Sequence, residues 1–448
     1  MTATHLKKGF SLRIAGAPTL QVRQLEAPRQ VGMVPEFIPF VRPRLLVQEG
    51  DAVAIGTPLF EDKRDTRIRF VSPGGGRVSR IVFGPRRIIR QIVVSLDDDE
   101  GHAPLDVPAA GQLGVTPRPA LVACLLAGGM WPFLRALPFM DLADPDVDPP
   151  AIIVRLGDDE PFGPDPVVYL NGKQDSFATG IELLKRLCDR VVIHINGDEA
   201  IQASLPDAVP VNWFTGTYPC GNPSVQIYRT KTGPELNRSW FIDGQEVVLL
   251  GEFLRSGRYP TRRIIAVGGS LAAAPGHVEA RAGVPLRRLG SGDRASGKPA
   301  ARYIVGGLFT GYSGSVDSYM GFYQNALNLI DDGDREEPFG FIRPGIDKPS
   351  YSTAFLSALH RYALPMDCGQ HGEVRACVNC GACARICPVD ILPQFTMKCL
   401  VVNEVEEALA HGLLDCAECG LCTYACPSKI QLRAVLQAAK AQYYKETA

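Results

Sequence analysis

The pattern of hydrophobic and polar positions changes several times along the chain, which predicts several domains. Between residues 37 and 97, β-branched residues alternate with turn signals such as Gly50-Asp51 and Ser72-Pro-Gly-Gly-Gly76. Alternation of period two, interrupted by tight-turn residues, is typical of short strands joined by hairpins. This part of the chain is therefore expected to form a small β domain.

The middle of the chain has the pattern of an α/β domain. Two apolar runs, 151–156 and 190–195, predict buried strands. The segment 175–188 between them has apolar residues at helical spacing, with Asp175 or Ser176 as the expected N-cap. A helix of this length between two strands favours a parallel sheet.

The pattern changes again in the last two fifths of the chain. Apolar runs at 264–269 and 303–309 predict a small β-rich domain, with an exposed loop at 290–297 between them. Residues 403–411 and 431–440 are rich in helix-forming side chains. The C-terminal region is therefore expected to be helical.

Composition narrows the class of protein. Hydrophobic residues make up 46% of the 448 positions and charged residues 21%, which argues for an ordered globular protein. The 47 basic and 48 acidic residues give a net charge of −1, whereas nucleic-acid binding favours a concentrated basic surface. No apolar run reaches the ~18 residues of a membrane-spanning helix, and the N-terminus lacks a signal-peptide core. We expect no nucleic-acid partner and no transmembrane segment.

Eight of the thirteen cysteines form two complete copies of one motif. The copies read Cys377-x2-Cys380-x2-Cys383-x3-Cys387-Pro388 and Cys416-x2-Cys419-x2-Cys422-x3-Cys426-Pro427. This spacing is typical of proteins that hold two [4Fe–4S] clusters, in which the last cysteine of each run ligates the other run's cluster. The predicted ligand sets are Cys377, Cys380, Cys383 and Cys426 for the first cluster, and Cys416, Cys419, Cys422 and Cys387 for the second.

Other interpretations of the cysteines are weaker. Zinc sites also use Cys-x2-Cys pairs, but they rarely add a third cysteine three residues on and a fourth before proline. A disulfide framework would be unusual in a long chain with an odd number of cysteines and no secretory signal. Cys368 is a candidate auxiliary ligand, and His194, between two isoleucines, is interpreted as a core residue. Core packing is the default for the five other cysteines, Cys124, Cys188, Cys220, Cys368 and Cys399.

Two families resemble this chain. The cysteine-rich segment resembles the iron–sulfur domain of the C subunit of Rnf complexes, through both motifs. The remainder resembles the A subunit of the sodium-translocating NADH:quinone oxidoreductase, Nqr. Both families are related to the flavin-carrying subunit of respiratory complex I. The pieces that carry the second resemblance are Lys7–Gly9, Ile14–Gly16, Leu59–Lys63, Trp131–Phe139, Arg258–Thr261 and Phe309–Gly311.

The resemblance implies a multidomain α/β + β fold. It implies a barrel-sandwich hybrid of the biotinyl and lipoyl type over 1–110 and a Rossmann-like α/β domain, like that of the flavin-carrying subunit, over 111–255. A small β-grasp-like domain would span 256–320, and an α-helical ferredoxin domain with both [4Fe–4S] motifs would span 321–448. Lys63 lies near the modified lysine of the carriers, but their signature is missing, so an unmodified barrel is expected.

The resemblance also implies a function. The chain would be a peripheral electron-transfer subunit of a membrane NADH:quinone oxidoreductase, on the cytoplasmic face of a bacterial inner membrane. It would relay electrons through two clusters, reach NADH and quinone through partner subunits, and serve Na⁺ transport by the complex. No catalytic side chain is expected, and the isolated chain would lack full activity. The alternative is a docking scaffold with structural clusters.

Departures from the two families bear on whether this chain binds flavin and on which membrane complex it belongs to. In flavin-carrying relatives a glycine-rich loop cradles FMN, but here Gly128 and Gly129 are followed by a bulky Met-Trp-Pro-Phe run that would obstruct a phosphate. The family segment Tyr-Pro-x-Gly-x-Glu appears as Tyr218–Asn222 without its acid. FMN and NADH are not expected to bind this chain; Gly128, Gly129 and Arg135 form either an anion site or core structure. The typical A subunit of Nqr lacks the full cysteine set, which leaves open whether the complex is Nqr, Rnf or a variant.

Overall fold

A computed structural model describes residues 2–108, 110–157, 160–197, 201–202, 205–206, 209–290, 300–333, 344–351, 355–370 and 372–447. Its strands are β1 Thr2–Leu6, β2 Thr19–Gln24, β3 Gln30–Met33, β4 Pro43–Leu45, β5 Ala52–Val53, β6 Pro58–Asp62, β7 Arg69–Val71, β8 Gly76–Phe83, β9 Ile89–Leu96, β10 Arg135–Ala136, β11 Asp141–Leu142, β12 Ile152–Leu156, β13 Val191–Ile195, β14 Val211–Gly216, β15 Trp240–Asp243, β16 Arg262–Gly268, β17 Gly276–Arg281, β18 Ala301–Val305, β19 Tyr312–Gly314 and β20 Ala326–Asp331. Its helices are α1 Arg118–Ala127, α2 Pro166–Leu170, α3 Gln174–Leu187, α4 Pro223–Thr230, α5 Gly244–Ser256, α6 Leu286–Leu289, α7 Ala382–Ile386, α8 Pro393–Val401, α9 Val405–Ala410, α10 Leu421–Tyr424 and α11 Leu432–Thr447.

The N-terminal β domain consists of two small antiparallel sheets. One has the strand order β3-β9-β8-β5 and the other β4-β6-β7. Phe60 and Phe70 stack with ring centroids 4.6 Å apart and are fully buried. The predicted succession of short strands and hairpins between 37 and 97 is confirmed.

The α/β domain is built on a seven-stranded sheet with the order β1-β14-β13-β12-β15-β10-β11. Strands β12 and β13 pair in parallel, as predicted, with Ile152 opposite Val191. Helix α3 begins one residue earlier than expected, and its N-cap is Lys173, so the prediction of Asp175 or Ser176 as the cap is wrong. The reason is the short connection from α2, in which the Lys173 N–H donates to the Leu170 carbonyl at 2.9 Å.

The first 24 residues contribute strands to sheets far away in sequence. Strand β1 pairs in parallel with β14, with Thr2 opposite Asn212. Strand β2 pairs in parallel with β17 at the edge of a six-stranded sheet, whose order is β19-β18-β20-β16-β17-β2. The N-terminal segment therefore ties the α/β domain to the small β-rich domain. The loop predicted at 290–297 lies outside the described residues, apart from Gly290.

His194 lies in the core of the α/β domain, as predicted. Its imidazole is 2% exposed and lies within hydrogen-bonding distance of the Gln226 Oε1 atom, at 3.2 Å, and of the Asn212 Nδ2 atom, at 3.3 Å. Burial lowers the pKa of His194 to about 4, although the hydrogen bond with Gln226 opposes this shift. The residue is therefore an uncharged packing element at neutral pH.

The C-terminal region, from residue 372 onward, contains five helices, α7 to α11, among its described residues, and we call it the cluster segment. The helices predicted at 403–411 and 431–440 correspond to α9 and α11, and α11 extends further, to Thr447. Among the described residues, no helix of the whole chain is both long and apolar enough to cross a bilayer.

Candidate iron–sulfur site

The two cysteine motifs adopt the same backbone conformation. Each residue of the second motif lies 39 positions after its counterpart in the first, from Cys377 and Cys416 onward. Helices α7 and α10 begin at equivalent positions, as do α8 and α11. Positive φ angles also recur in pairs, at Asn379 and Glu418 (54° and 55°), Gly381 and Gly420 (73° and 82°), and Asp390 and Lys429 (57° each). The cluster segment is therefore an internal repeat in structure as well as in sequence.

The eight motif thiols line two separate cavities. The first-cluster cavity is lined by Cys377, Cys380, Cys383 and Cys426, and the second-cluster cavity by Cys387, Cys416, Cys419 and Cys422. Each cavity combines three cysteines of one motif with the last cysteine of the other. No group of three or more His, Cys, Asp or Glu side chains could hold a single metal ion in the described part of the chain. The thiols surround spaces instead, which is the arrangement that a larger inorganic group requires.

The two cavities differ in burial. Cys380 is exposed and Cys377 half-buried in the first, and the neighbouring Val378 is 69% exposed. In the second, Cys387, Cys416 and Cys419 are all buried. Burial raises the pKa of Cys387 to about 11, and backbone hydrogen bonds from Val389 and Ile391 lower it in part.

The donor set fits iron–sulfur chemistry. Within the described ranges, the cysteines are the only ionisable residues of the Cys, His, Asp and Glu types that line the first-cluster cavity, and Glu418 is the only further one at the second. Backbone hydrogen bonds also reach the sulfurs of Cys419 and Cys422, from Leu421 and Thr423. Such donors stabilise thiolate charge around a cluster and help to set its potential.

Three charged residues lie beside Cys416. Burial raises the pKa of the Cys416 thiol. Among the charges, Lys440 lowers that pKa most, ahead of the opposing effect of Glu418, and Arg433 lowers it as well. Two cations and one carboxylate therefore act on the Cys416 thiol.

The other five cysteines line neither cavity among the described residues. Cys124, Cys188 and Cys220 are buried, as core packing predicts, and Cys399 is half-buried on α8. Cys368, the candidate auxiliary ligand, is also half-buried, and its backbone N–H donates to the Asp331 carbonyl at 2.9 Å. Its position supports a packing role.

The α/β domain holds the cluster segment through the region that follows β14. The Tyr218 hydroxyl donates to the Cys419 carbonyl at 2.6 Å, and its ring stacks on Phe309 at 4.7 Å. Arg229 and Lys8 both form ion pairs with Asp390, at 2.8 and 2.7 Å. The family segment Tyr218–Asn222, which lacks its acid here, thus serves as a contact with the second cluster motif.

A large cavity, which sequence analysis did not predict, lies between the domains. It has a volume of about 780 Å³ and we call it the interdomain cavity. Aromatic rings and charged groups from all four parts of the chain line it, including Phe37, Arg135, Arg155, Tyr323, Glu418, Arg433 and Lys440. Ala417, Glu418 and Arg433 also line the second-cluster cavity, so these three residues form the wall between the two spaces. Its walls come from residues far apart in sequence, and no local motif signals it.

The glycines considered as an anion site lie in the core. A Cβ at Gly128 would meet the Phe253 ring at 2.3 Å, and one at Gly129 would meet Val71 at 2.6 Å. Arg135 lies between the rings of Phe241 and Tyr323. Its guanidinium pairs with two carboxylates, Asp243 at 2.9 Å and Glu246 at 3.3 Å. Asp243 pairs with Arg155 as well, at 2.6 Å, so two arginines and two acids form one buried ionic group. This supports the core interpretation for Gly128 and Gly129, and Arg135 belongs to a buried ionic group that also lines the interdomain cavity.

Lys63, the residue weighed as a carrier lysine, lies in the turn between β6 and β7. Its side chain is exposed, and its backbone N–H donates to the Arg42 carbonyl at 2.9 Å. An exposed lysine at a hairpin is compatible both with a modified carrier lysine and with an unmodified barrel. An unmodified side chain stays the prediction.

Comparison with known proteins identifies three segments. Residues 4–97 match a family described as the NqrA N-terminal barrel-sandwich hybrid domain, and residues 116–259 match one described as the NqrA second alpha/beta domain. Residues 376–430 match a 4Fe-4S dicluster domain. The predicted fold class, with a barrel-sandwich hybrid, an α/β domain, additional β structure and a helical cluster region, is confirmed.

Full-length relatives agree with these matches. The chain is 31% identical over 427 residues to the A subunit of the Na⁺-translocating NADH-quinone reductase of Rhodopirellula baltica, covering 93% of this chain and 92% of the relative. The corresponding proteins of Yersinia pestis and Pseudomonas aeruginosa are 31% and 30% identical, with 92% of each chain covered.

A solved NAD⁺-reducing [NiFe]-hydrogenase chain aligns with 78% of this chain and 72% of its own, at a TM-score of 0.35 and 16% identity, a likeness too weak to bear on function. The extent and identity of the full-length matches place the chain in the NqrA family, the A subunits of the Na⁺-translocating NADH-quinone reductases, and within it this chain carries a 4Fe-4S dicluster domain at its C-terminus.

Proposed function

We propose that this chain is an electron-transfer subunit of a Na⁺-translocating NADH:quinone oxidoreductase and relays single electrons through two [4Fe–4S] clusters. The observation that carries the proposal is the arrangement of the eight motif thiols around two cavities, four to each. A [4Fe–4S] cluster, when bound, accepts and releases one electron at a time.

The chain's own residues would position the two groups for this task. Cys387 and Cys426 cross between the motifs, so each cavity depends on both copies of the repeat. The first-cluster cavity lies towards solvent at Cys380, whereas the second faces the interdomain cavity through Glu418 and Arg433. This order supports a path in which an external partner meets the first cluster and a group inside the complex meets the second.

The relatives' names supply the wider setting of the proposal. Those proteins are subunits of NADH-quinone reductases that translocate Na⁺. We infer the same setting here: partner subunits in a membrane complex, with NADH and quinone reached through them, and a peripheral position on the cytoplasmic face of a bacterial inner membrane. The packing of Gly128 and Gly129 supports the further proposal that FMN and NADH do not use the family's glycine loop in this chain.

Anaerobic purification and spectroscopy test the cluster proposal. We expect iron and acid-labile sulfide in equal amounts, matching two cubanes per chain, and paramagnetic signals after reduction with dithionite. Cys387→Ser should perturb the second cluster rather than the first, because Cys387 lines the second cavity. The matched control is Cys399→Ser, whose thiol lines neither cavity and which should keep both clusters. A colourless protein, or one that contains zinc, would refute the proposal.

A docking scaffold with structural clusters is the second candidate. The observation in its favour is the number of ion pairs between the body and the cluster segment, including Lys8 and Arg229 with Asp390 and Lys231 with Asp415 at 3.1 Å. A redox titration of the purified protein separates the two functions. Clusters that stay oxidised throughout the potential range of NADH and quinones would favour the scaffold.

A further inference from the structure

The internal repeat allows the surroundings of the two cavities to be compared position by position. Around the second-cluster cavity, three positions are charged: Glu418, Arg433 and Lys440. Their counterparts 39 residues earlier are all uncharged: Asn379, Gln394 and Val401. The positive φ angles and helix starts recur in the two copies, so these positions can be compared directly. They differ in side-chain charge and, for Lys440 and Val401, also in burial.

The charged side chains are in direct contact with the second motif. The Lys440 ammonium donates to the Cys416 carbonyl at 2.9 Å, pairs with Glu418 at 3.1 Å and is 2% exposed. Arg433 donates from Nε to the Glu418 carbonyl at 2.8 Å and lines the second-cluster cavity. These three side chains carry an excess of one positive charge. On the Cys387 side of the cavity, Lys8 and Arg229 pair with Asp390 and add a second excess positive charge.

The equivalent positions at the first cavity have a different character. Gln394 accepts a hydrogen bond from the Cys383 thiol at 2.9 Å, and Asn379 lines the cavity. Val401, the counterpart of Lys440, is 72% exposed. None of the three positions holds a cation.

The cations near the first cavity are differently placed. Arg385 donates to the Cys380 carbonyl at 2.9 Å, and Arg375 donates to the Pro427 carbonyl at 3.0 Å. Both arginines are exposed, so water screens their charge more than that of buried Lys440.

Reduction of a thiolate-bound cubane adds one electron and one negative charge, and it breaks no bond. A nearby positive charge stabilises that added charge, and the effect is large where water is excluded. We propose that Lys440 and Arg433 are positioning residues that raise the reduction potential of the second cluster, the one that faces the interdomain cavity. In the complex, the added electron comes from the partner that reduces the first cluster. In a titration of the purified protein, it comes from dithionite. This inference rests on the proposed function, because it requires clusters in both cavities.

Redox titration of the full chain, followed by paramagnetic resonance, tests the role of each cation. The two variants are Lys440→Met and Arg433→Gln, and the second of these introduces the residue found in the first repeat. In each variant the midpoint potential of the second cluster's signal should fall, while that of the first cluster should stay unchanged. At a fixed potential, we expect the ratio of reduced to oxidised second cluster to change at least tenfold. For a one-electron couple, this corresponds to a shift of the midpoint potential by about 59 mV. A structural defect alone would lower the iron content instead of moving one midpoint.

Two further variants test the sign of the effect. Glu418→Gln removes the opposing charge and should raise the midpoint that the first two variants lower. Gln394→Arg places a cation at the equivalent position of the first repeat and should raise the other midpoint. If the wild type contains both clusters and none of the four variants moves a midpoint, this inference is refuted while the proposed function stands. If the wild type contains no cubane, the proposed function itself fails.

Discussion

The body of the protein and its cluster segment are stabilised in different ways. Among the described residues, the twelve largest fully buried side chains include eight aromatic rings of the body, such as Trp131, Trp240 and Phe253. The cluster segment contributes one member of that set, Lys440. Its own core is made of small and medium side chains together with the cysteines, among them Cys383, Cys387 and Cys416. The body has a large apolar core of its own, whereas thiols occupy much of the core of the cluster segment.

The two regions therefore gain their folding free energy from different sources. Burial of a large apolar side chain contributes about 1.5–3 kcal/mol, and the body has many such residues. A cysteine-lined site gains its stability when the metal centre binds, so that binding energy becomes folding energy.

Removal of iron should unfold the cluster segment and leave the body folded. Anaerobic chelation takes away the group that the eight thiols would hold, and the segment between residues 376 and 430 should then exchange its amide protons freely and become sensitive to protease. The body sheet, including β12 and β13, should keep its protection. Hydrogen exchange read by mass spectrometry measures both regions in one experiment. Equal loss of protection in both regions would contradict the contrast.

Truncation of a body core residue should have the converse effect. Phe253 is fully buried on α5 and packs against Gly128. Phe253→Ala should lower the free energy of unfolding of the α/β domain by about 3–5 kcal/mol, because it leaves a cavity. Chemical denaturation measures the change. The control is Val401→Ala on the exposed face of α8, which should have little effect. The cluster spectra should be unchanged in both variants, and altered spectra in Phe253→Ala would show that the two regions are not independent.

Structure that depends on local signals could be predicted from the sequence. Strand β12, helix α3 and strand β13 follow from periodicity within short segments. The assignment of the thiols to two clusters uses the crossing rule of two-cluster proteins and stays a prediction. Structure that depends on distant residues could not be predicted. Nothing in Thr2–Leu6 or Thr19–Gln24 indicates pairing with β14 or β17, and the interdomain cavity has walls from every part of the chain. The predicted N-cap of α3 was wrong because the preceding helix, rather than the local residues, determines where α3 begins.

The buried His194 should make the free energy of unfolding of the body depend on pH. Its folded pKa, about 4, is below the ordinary value of 6.5, so the unfolded chain binds a proton in this window that the folded domain does not. The stabilisation is therefore complete above pH 6.5 and is lost as the pH falls towards 4, by up to about 3 kcal/mol. His194→Gln should flatten this dependence, which urea unfolding between those pH values measures. An equally steep dependence in the variant would contradict the assignment.

Asn222 lies where the two regions meet, and its replacement should have the smallest effect. Its side-chain oxygen accepts from the Ser224 N–H at 3.0 Å and caps α4, while its Nδ2 approaches the Ala417 carbonyl at 3.5 Å. Asn222→Ala should cost about 1 kcal/mol through loss of the cap. Asn222→Ser keeps a capping oxygen but cannot reach Ala417 with an amide, so it separates the cap from the contact. Suppose that both properties change in Asn222→Ala. If Asn222→Ser restores the amide protection of α4 while the second cluster's spectrum stays altered, the contact with Ala417 matters to the cluster. If both recover, the residue acts only within the body, and the boundary between the regions lies at the cluster segment itself.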